Sequence, residues 1–512
     1  MDQTNKPLTD DLFTTLKEKA FKRRPQLKKI LETYGDMTLL EFAKQYNLQS
    51  KTTFPKERKT QFIEAFTEET ERLLGKNIAA SCKKQLEITY RVTTTDHHGP
   101  LSEPGMVNSN MHESLLYLNG DKIMKNVIVL GCANVSFDNE SFPRGLLFHS
   151  FKENQLITNQ LVFFPRSVRA CPVVYFPAYT QTHLENTKKR IETWIREKKI
   201  TEKQKQTIED ILAKIYAEPS VLACKYFSEQ ITKTNYHLWR KIMQTYPKAP
   251  NLIYIEQEGL VTRLLKQYHL DQNTFINRLL FTPKYHELLL KHFDGILRGF
   301  STKDKVGTYL FWAIPHGQKY RVQLWKKRNT LQTEDGTYCI PLTPDGIRHA
   351  IEKKELIPST LLSFILLTFY YGVHLFGGSN QTTYLTQMKE AFIRMQKEYG
   401  DTESVSLVND VNTTSLSIAI QSLAFLQTTQ SSRVPATGID FILYGNKDTI
   451  TIMENVAKKL TVRDTFYRIL PDCYRWYYKE EEREPELLEI TRDQIEEYLH
   501  IEHKIVPAAT II

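Results

Sequence analysis

The run Asn126–Gly131 (NVIVLG) is apolar at every position after the first, with no polar residue alternating. A strand with one wet face alternates, so a continuous apolar run belongs to a central strand covered on both sides. Such a strand needs parallel neighbours and helices above and below it, which commits the chain to an α/β architecture. Further short strands are expected at GLLFHS, QLVFF, PVVYF and NLIYIE. In QLEITYRVTT, Leu86, Ile88, Tyr90 and Val92 alternate with Glu87, Thr89, Arg91 and Thr93, a period-two texture with one buried face. Hairpin texture follows across residues 305–340, with Asp335-Gly336 as a turn signal and Trp312 and His316 near a tip.

Helical periodicity brackets this region on both sides. The expected fold class is α/β, with a mixed, largely parallel central sheet and helical N- and C-terminal additions. Residues 1–80 form an N-terminal helical region, 81–340 the α/β core domain holding the candidate site, and 341–512 a mainly helical C-terminal region. An apolar helix is expected within residues 417–426. No internal repeat or low-complexity tract is present.

With 512 residues, 41% hydrophobic and 25% charged, the chain can bury a core without disulfides or metals. Six cysteines stand singly, at no zinc or redox spacing, as expected of reduced thiols in a cytosol. The first residues have acids and no apolar segment, unlike a secretory signal. Residues 358–378 lack Asp, Glu, Lys and Arg and approach the length of a bilayer span. Their isolation, His374 and a double glycine favour a buried core helix, and the chain is expected to be soluble and cytoplasmic. The net charge of +9, from 68 basic and 59 acidic residues, is modest for this length. Lysine runs interleave with acids, as on solvated helix faces, and no zinc finger, RRM or KH signature occurs.

The densest polar constellation is TTTDHHGP, residues 93–100, directly after the alternating segment. Asp96, His97 and His98 at a strand's carboxyl end suit proton transfer or divalent-metal ligation. A second polar run after Gly131 carries Asn134, Asp138, Asn139 and Arg144. If the two strands are parallel neighbours, both loops open on one crevice, where α/β sheets bind ligands. Asn108 and Asn110, in residues 108–112 between them, are placed to line the same space, and Asn110 with Glu113 has capping-box spacing. Arg144 and Arg166 are candidate clamps for a carboxylate or phosphate, with Arg169 nearby. Turn chemistry and structural ion pairing are the ordinary explanations of these residues. Cys132, at the end of a buried strand, reads as a packed thiol. The stretch LFGGSNQTTY offers backbone amides, Asn380 and Gln381 to an anion, although a helix closed by a glycine cap explains it as well. His500 and His503 share a possible helical face but do not make a site.

TTTDHHGP resembles the third motif of the DHH phosphoesterases, which ends a strand in Asp-His-His and binds manganese. That family also requires an upstream strand with paired aspartates. Before Thr93 the chain offers only Asp10-Asp11 and Asp36 in helical surroundings, so the resemblance ends with those eight residues.

No GxGxxG, Walker, GxSxG, HExxH or CxxC motif occurs. The residues therefore point to an enzyme acting on a small anionic or polar substrate by hydrolysis or group transfer. Asp96, His97 and His98 would be catalytic or, with a divalent metal ion, its ligands. Asn108, Asn110, Asn134, Asp138, Asn139, Arg144 and Arg166 would bind substrate. The alternative is a non-catalytic interaction protein with basic helical faces for nucleic acid or an acidic partner.

Overall fold

The computed structural model describes residues 7–45, 54–118, 120–152, 155–246, 249–417, 423–428 and 433–510. At its centre is a four-stranded, all-parallel sheet. Its strands are β1 (Arg91–Thr93), β2 (Asn126–Gly131), β5 (Asn251–Glu256) and β6 (His374–Phe376), ordered β6-β1-β2-β5. β2 is buried at all six positions, as its composition requires. Its residues pair with β5 in unbroken register from Asn126↔Asn251 to Gly131↔Glu256. An antiparallel hairpin, β3 (Gly145–Lys152) and β4 (Gln155–Val162), stands apart from this sheet. The edge strand β6 comes from beyond residue 340, so the sheet is assembled from distant parts of the chain.

The two faces of the sheet are covered by different helices. Val127 and Val129 of β2 and Leu252 and Tyr254 of β5 share a core with helix α3 (Pro104–Leu118), through Met106, Val107, Met111 and Leu115. Ile128, Leu130, Ile253, Ile255, Val92 and Leu375 face the other way. They pack with α1 (Lys56–Leu74), α2 (Lys76–Thr89), α5 (Gln257–Leu264) and α6 (Ser379–Tyr399). A helix α4 (Phe227–Ile242), rich in buried side chains, runs beside β5.

Several sequence expectations are corrected. The segment expected as a strand from Leu86 is the end of α2, and only Arg91–Thr93 is extended. Ala79, Cys82, Gln85 and Leu86 are its buried residues, a three- and four-residue spacing, whereas Ile88 is 42% exposed. Tyr90 closes the helix in a left-handed conformation, φ 42°. Residues 108–112 are helix interior, so Asn110 caps nothing. PVVYF makes only an isolated bridge, Ser136↔Pro172. Within residues 417–426, positions 418–422 lie outside the described residues, and Phe425–Gln427 is a strand. The apolar run 358–378 is a buried core segment as expected, but its helix ends at Tyr370 and β6 follows. Gly377 and Gly378 therefore join a strand to α6, with Gly378 at the N-cap of α6, and do not close the preceding helix. No helix among the described residues is long and apolar enough to cross a membrane. All six cysteines are free.

One buried ion pair ties the sheet to α3. Arg91, 6% exposed, bonds Glu113, also 6% exposed, and its guanidinium lies 3.7 Å over the Phe376 ring of β6. Burial raises the Glu113 pKa, but Arg91 and His112 outweigh it and hold the carboxyl at about 2. A carboxyl depressed in this way adds stability above its ordinary pKa of 4.5, lost as pH falls towards about 2. Glu113→Gln, which strands the buried guanidinium, is expected to cost about 3–5 kcal/mol by chemical denaturation. Replacing both partners by apolar residues, Arg91→Met with Glu113→Leu, is expected to cost far less.

Candidate functional site at the strand carboxyl ends

All four strands point the same way, so their carboxyl ends share one edge. From β1 the chain passes into α3 on one face, while from β6 it passes into α6 on the other. Neighbouring strands that send their connections to opposite faces leave a crevice between them, the usual ligand position in open α/β sheets.

The crevice floor is main chain held tightly. Thr94 N donates to Phe376 O (2.7 Å), and the Thr94 hydroxyl donates to Gln381 Oε1 (2.9 Å). A Cβ at Gly377 would lie 2.1 Å from Gln381 Cδ, so a side chain there would displace the Gln381 amide. Over Gly378 the space is open, the nearest heavy atom to a Cβ being Thr95 Cγ2 at 4.0 Å. The 21-residue helix α6 begins at this point. Its first amides, Ser379 N and Asn380 N, have no acceptor among the described residues, and Gln381 Nε2 is buried without a partner. A helix start with free amides attracts anions.

Two arginines add positive charge. Arg24 Nε donates to Asn380 Oδ1 (2.8 Å), and its guanidinium lies 4.0 Å over the Tyr477 ring. Arg298 sits in a turn with left-handed backbone, φ 64°, and forms no ion pair among the described residues. Its charge reaches Arg24, His97 and Tyr384.

His97, in the loop after β1, is bonded towards the loop that follows β2. Its Nδ1 lies 3.3 Å from Ser141 Oγ, and the Ser141 hydroxyl donates to Asn139 Oδ1 (3.0 Å). With that hydrogen committed to Asn139, Nδ1–H is the donor to Ser141 and Nε2 carries the lone pair. Burial, assisted by Arg298, lowers the His97 pKa against the opposing bond to Asn139. Burial thus favours the neutral imidazole, with Nδ1–H directed to Ser141.

Asp96 and His98 lie below the surface. Asp96, 1% exposed, accepts from Asn110 Nδ2 (2.8 Å) and Tyr254 OH (3.0 Å), while its Oδ1 has no partner. Burial raises its pKa to about 7, opposed by those two bonds and reinforced by Glu103 and Glu113. His98 is fully buried, with Nε2 2.9 Å from Ser228 O on α4 and Nδ1 against Gly131. Burial drives its pKa down to about 4. Asp96, His97 and His98 thus face three different sets of partners. Among the described residues no group of three or more His, Cys, Asp or Glu is placed to hold a metal ion. The geometry gives metal ligation by this trio no support.

The two polar loops do converge. His97 and Cys132 form a parallel bridge, with His98 N bonded to Cys132 O and Cys132 N to Asp96 O. Two residues missed at the sequence level hold the β2 loop. Glu258 accepts from Ala133 N, Asn134 N and the Cys132 thiol (2.8, 3.1 and 3.2 Å), and Arg321 clasps the carbonyl and side chain of Asn134. A signal for Glu258 existed in the pair of acids, Glu256 and Glu258, directly after an apolar strand. Burial and Glu258 push the Cys132 thiol well above its ordinary pKa, which fits a packed thiol and not a nucleophile.

The other expected ligands divide. Asn139 supports His97 through Ser141. Asn108 is structural, its Oδ1 accepting from Leu423 N and Ala424 N (2.8 and 3.0 Å). Asp138 is an exposed turn residue bonded to Ser136. Arg144 is buried near the Phe142 ring (5.5 Å) with Nε unpartnered. Burial lowers its pKa, and Arg169 and Arg166 add to the effect. The Arg144 and Arg166 charges therefore act on one another, whereas His97 feels Arg298.

No family model matches this chain, and no curated protein matches it at a significant level.

Two mutational outcomes follow from this placement. His98→Ala, which orphans a buried carbonyl and opens a cavity, is expected to lower stability by roughly 2–4 kcal/mol in denaturant titrations. His97→Ala, half-buried with one long bond, is expected to cost under about 1 kcal/mol. Asp96 also carries a pH signature. A raised folded-state pKa means stability is highest below the ordinary value of 3.8 and falls as pH rises to about 7. The melting temperature of Asp96→Asn should lack that component of the wild-type decline, whereas equal slopes between pH 4 and 7 would contradict the assignment.

Proposed function

We propose that this protein is an enzyme that binds a small anionic substrate in the crevice between β1 and β6 and uses His97 as its general base. The anionic group occupies the start of α6, where free amides, Arg24 and Arg298 supply positive charge. His97 Nε2 accepts a proton from the substrate or from an attacking water, with Ser141 and Asn139 fixing the tautomer. The buried Asp96, held by Tyr254 and Asn110, positions the loop that carries His97 and stays out of contact with substrate. The reaction class this supports is hydrolysis or group transfer by acid–base chemistry. The reading is supported by a topological reversal, a guanidinium in no ion pair among the described residues and a histidine whose burial favours its neutral form, all towards one sheet edge.

The test is calorimetric titration with inorganic phosphate and citrate, alongside a turnover screen of phosphate and carboxylate esters. Arg298→Gln is expected to weaken anion binding about tenfold or more, and binding should fall with ionic strength. His97→Gln is expected to preserve binding while reducing turnover by about 10²–10⁴-fold. Anion binding indifferent to Arg298→Gln would remove the site. Arg298-dependent binding with no turnover of any ester would convert the reading to a binding protein.

A further inference from the structure

Further along the same carboxyl edge, beyond the end of the outer strand β5, the surface opens into a cavity of about 480 Å³. Its volume lies within the range of small-molecule sites. It is walled by α1, α4 and α5, with Tyr175, Tyr226 and Lys354 entering from elsewhere. Most of its charges are already matched. Arg72 bonds Glu69 and Glu229 (2.6 Å each), Arg263 bonds Glu69 (2.6 Å) and Glu68 (3.1 Å), and Lys266 bonds Glu352 (3.1 Å).

Two charged groups are not spent in this way. Lys354 stands in left-handed backbone, φ 62°, directly after the helix Pro344–Glu352 and Lys353. Its Nζ lies 5.0 Å from the Tyr175 ring centre and 5.8 Å from that of Tyr226, and it forms no ion pair among the described residues. Glu256, the last residue of β5, forms no ion pair among the described residues; the Ser228 hydroxyl and the more distant charge of Lys354 support its carboxylate. Gly259 leaves room for its carboxyl, since a Cβ there would meet Glu256 Oε1 at 3.3 Å. The Thr262 hydroxyl lines the same cavity, buried and without a hydrogen-bond partner among the described residues. The cavity therefore presents one free cation against an aromatic wall, one carboxyl acceptor and one unused hydroxyl.

We infer that this cavity is a second ligand site, for a small molecule carrying both an anionic group and a hydrogen-bond donor, in the manner of an amino acid or a hydroxy acid. Lys354 takes the anionic group, Glu256 accepts from the amine or hydroxyl, and Thr262 completes the polar contacts beside the two tyrosine rings. The electrostatics agree with this division. Burial and the nearby Glu258 raise the Glu256 pKa to about 7, and burial lowers that of Lys354 against the pull of Glu256. Both groups regain favourable partners when a ligand bridges them. The site does not depend on the crevice at β1 and β6, from which it is separated by the width of β2 and β5.

Saturation-transfer NMR on the full chain tests this with two mixtures, free amino acids and 2-hydroxy acids. Acetate, propionate and ethylamine serve as single-group controls. The inference expects one or more two-group compounds to bind at millimolar concentration and the controls to give no signal. Lys354→Gln, on the cavity rim, should weaken that binding at least tenfold with an unchanged melting temperature. Glu256→Ala should do the same where it folds, and His97→Gln should leave binding intact. The identity of the binder separates an amine donor from a hydroxyl donor. No binding from either mixture, binding that survives Lys354→Gln, or controls that bind as well as two-group compounds would each overturn it.

Discussion

The main-chain ladder that pins Arg91–Thr93 between β6 and β2 is the element on which the rest of the molecule depends. Three residues make a short strand, yet they register with His374, Leu375 and Phe376 on one side and with Val129 on the other. Because β1 and its neighbours run parallel, the loops that leave them must emerge on a single edge. Because α3 and α6 cover opposite faces, the two loops cannot close over one another. The Arg91–Glu113 pair and the Phe376 ring lock this arrangement from beneath. A crevice with a helix start at its rim is the geometric consequence.

Around that edge the charges are sorted by depth. The carboxyls are inside and have work within the fold. Glu258 gathers the amides of the β2 loop, Glu113 holds Arg91, and Asp96 is tied to Tyr254 and Asn110. The cations and the free amides lie outward, with Arg298 in no ion pair among the described residues and Arg24 steadied by Asn380 and Tyr477. A surface that buries its acids and leaves its bases facing a cleft favours an anion without any large net charge. The overall +9 is too modest to have signalled this. The cavity beyond β5 follows a different plan, with matched pairs in its walls, the Glu256 carboxyl inside and the Lys354 ammonium at its rim.

Much of the fold could be read directly from residue patterns. NVIVLG and NLIYIE are unalternating apolar runs, and they became adjacent parallel strands. The polar segments after Thr93 and Gly131 became neighbouring loops for the same reason. Local pattern failed where a longer-range requirement overrode it. Leu86 through Thr89 alternate in polarity, but their contacts with α1 and β2 are satisfied by a helix that starts ten residues earlier. Asn108 and Asn110 look like loop ligands, yet their amides are consumed inside a packed helix. Arg24, Arg298 and the start of α6 could not be assigned to the crevice, because they lie tens to hundreds of residues from His97 and only the tertiary fold unites them. The adjacent histidines show the limit most plainly. Identical in type and consecutive in sequence, His97 and His98 are separated by the pleat of the chain into a half-buried imidazole beside Ser141 and a fully buried one against Ser228 O.

The most direct measurement is the crystallographic position of a soaked tungstate ion, read from its anomalous signal. The account predicts a peak at the start of α6, within bonding distance of Ser379 N or Asn380 N and of the Arg24 or Arg298 guanidinium. It predicts the loss of that peak in Arg298→Gln crystals. Tungstate bound only elsewhere, with the crevice between β1 and β6 empty, would contradict it.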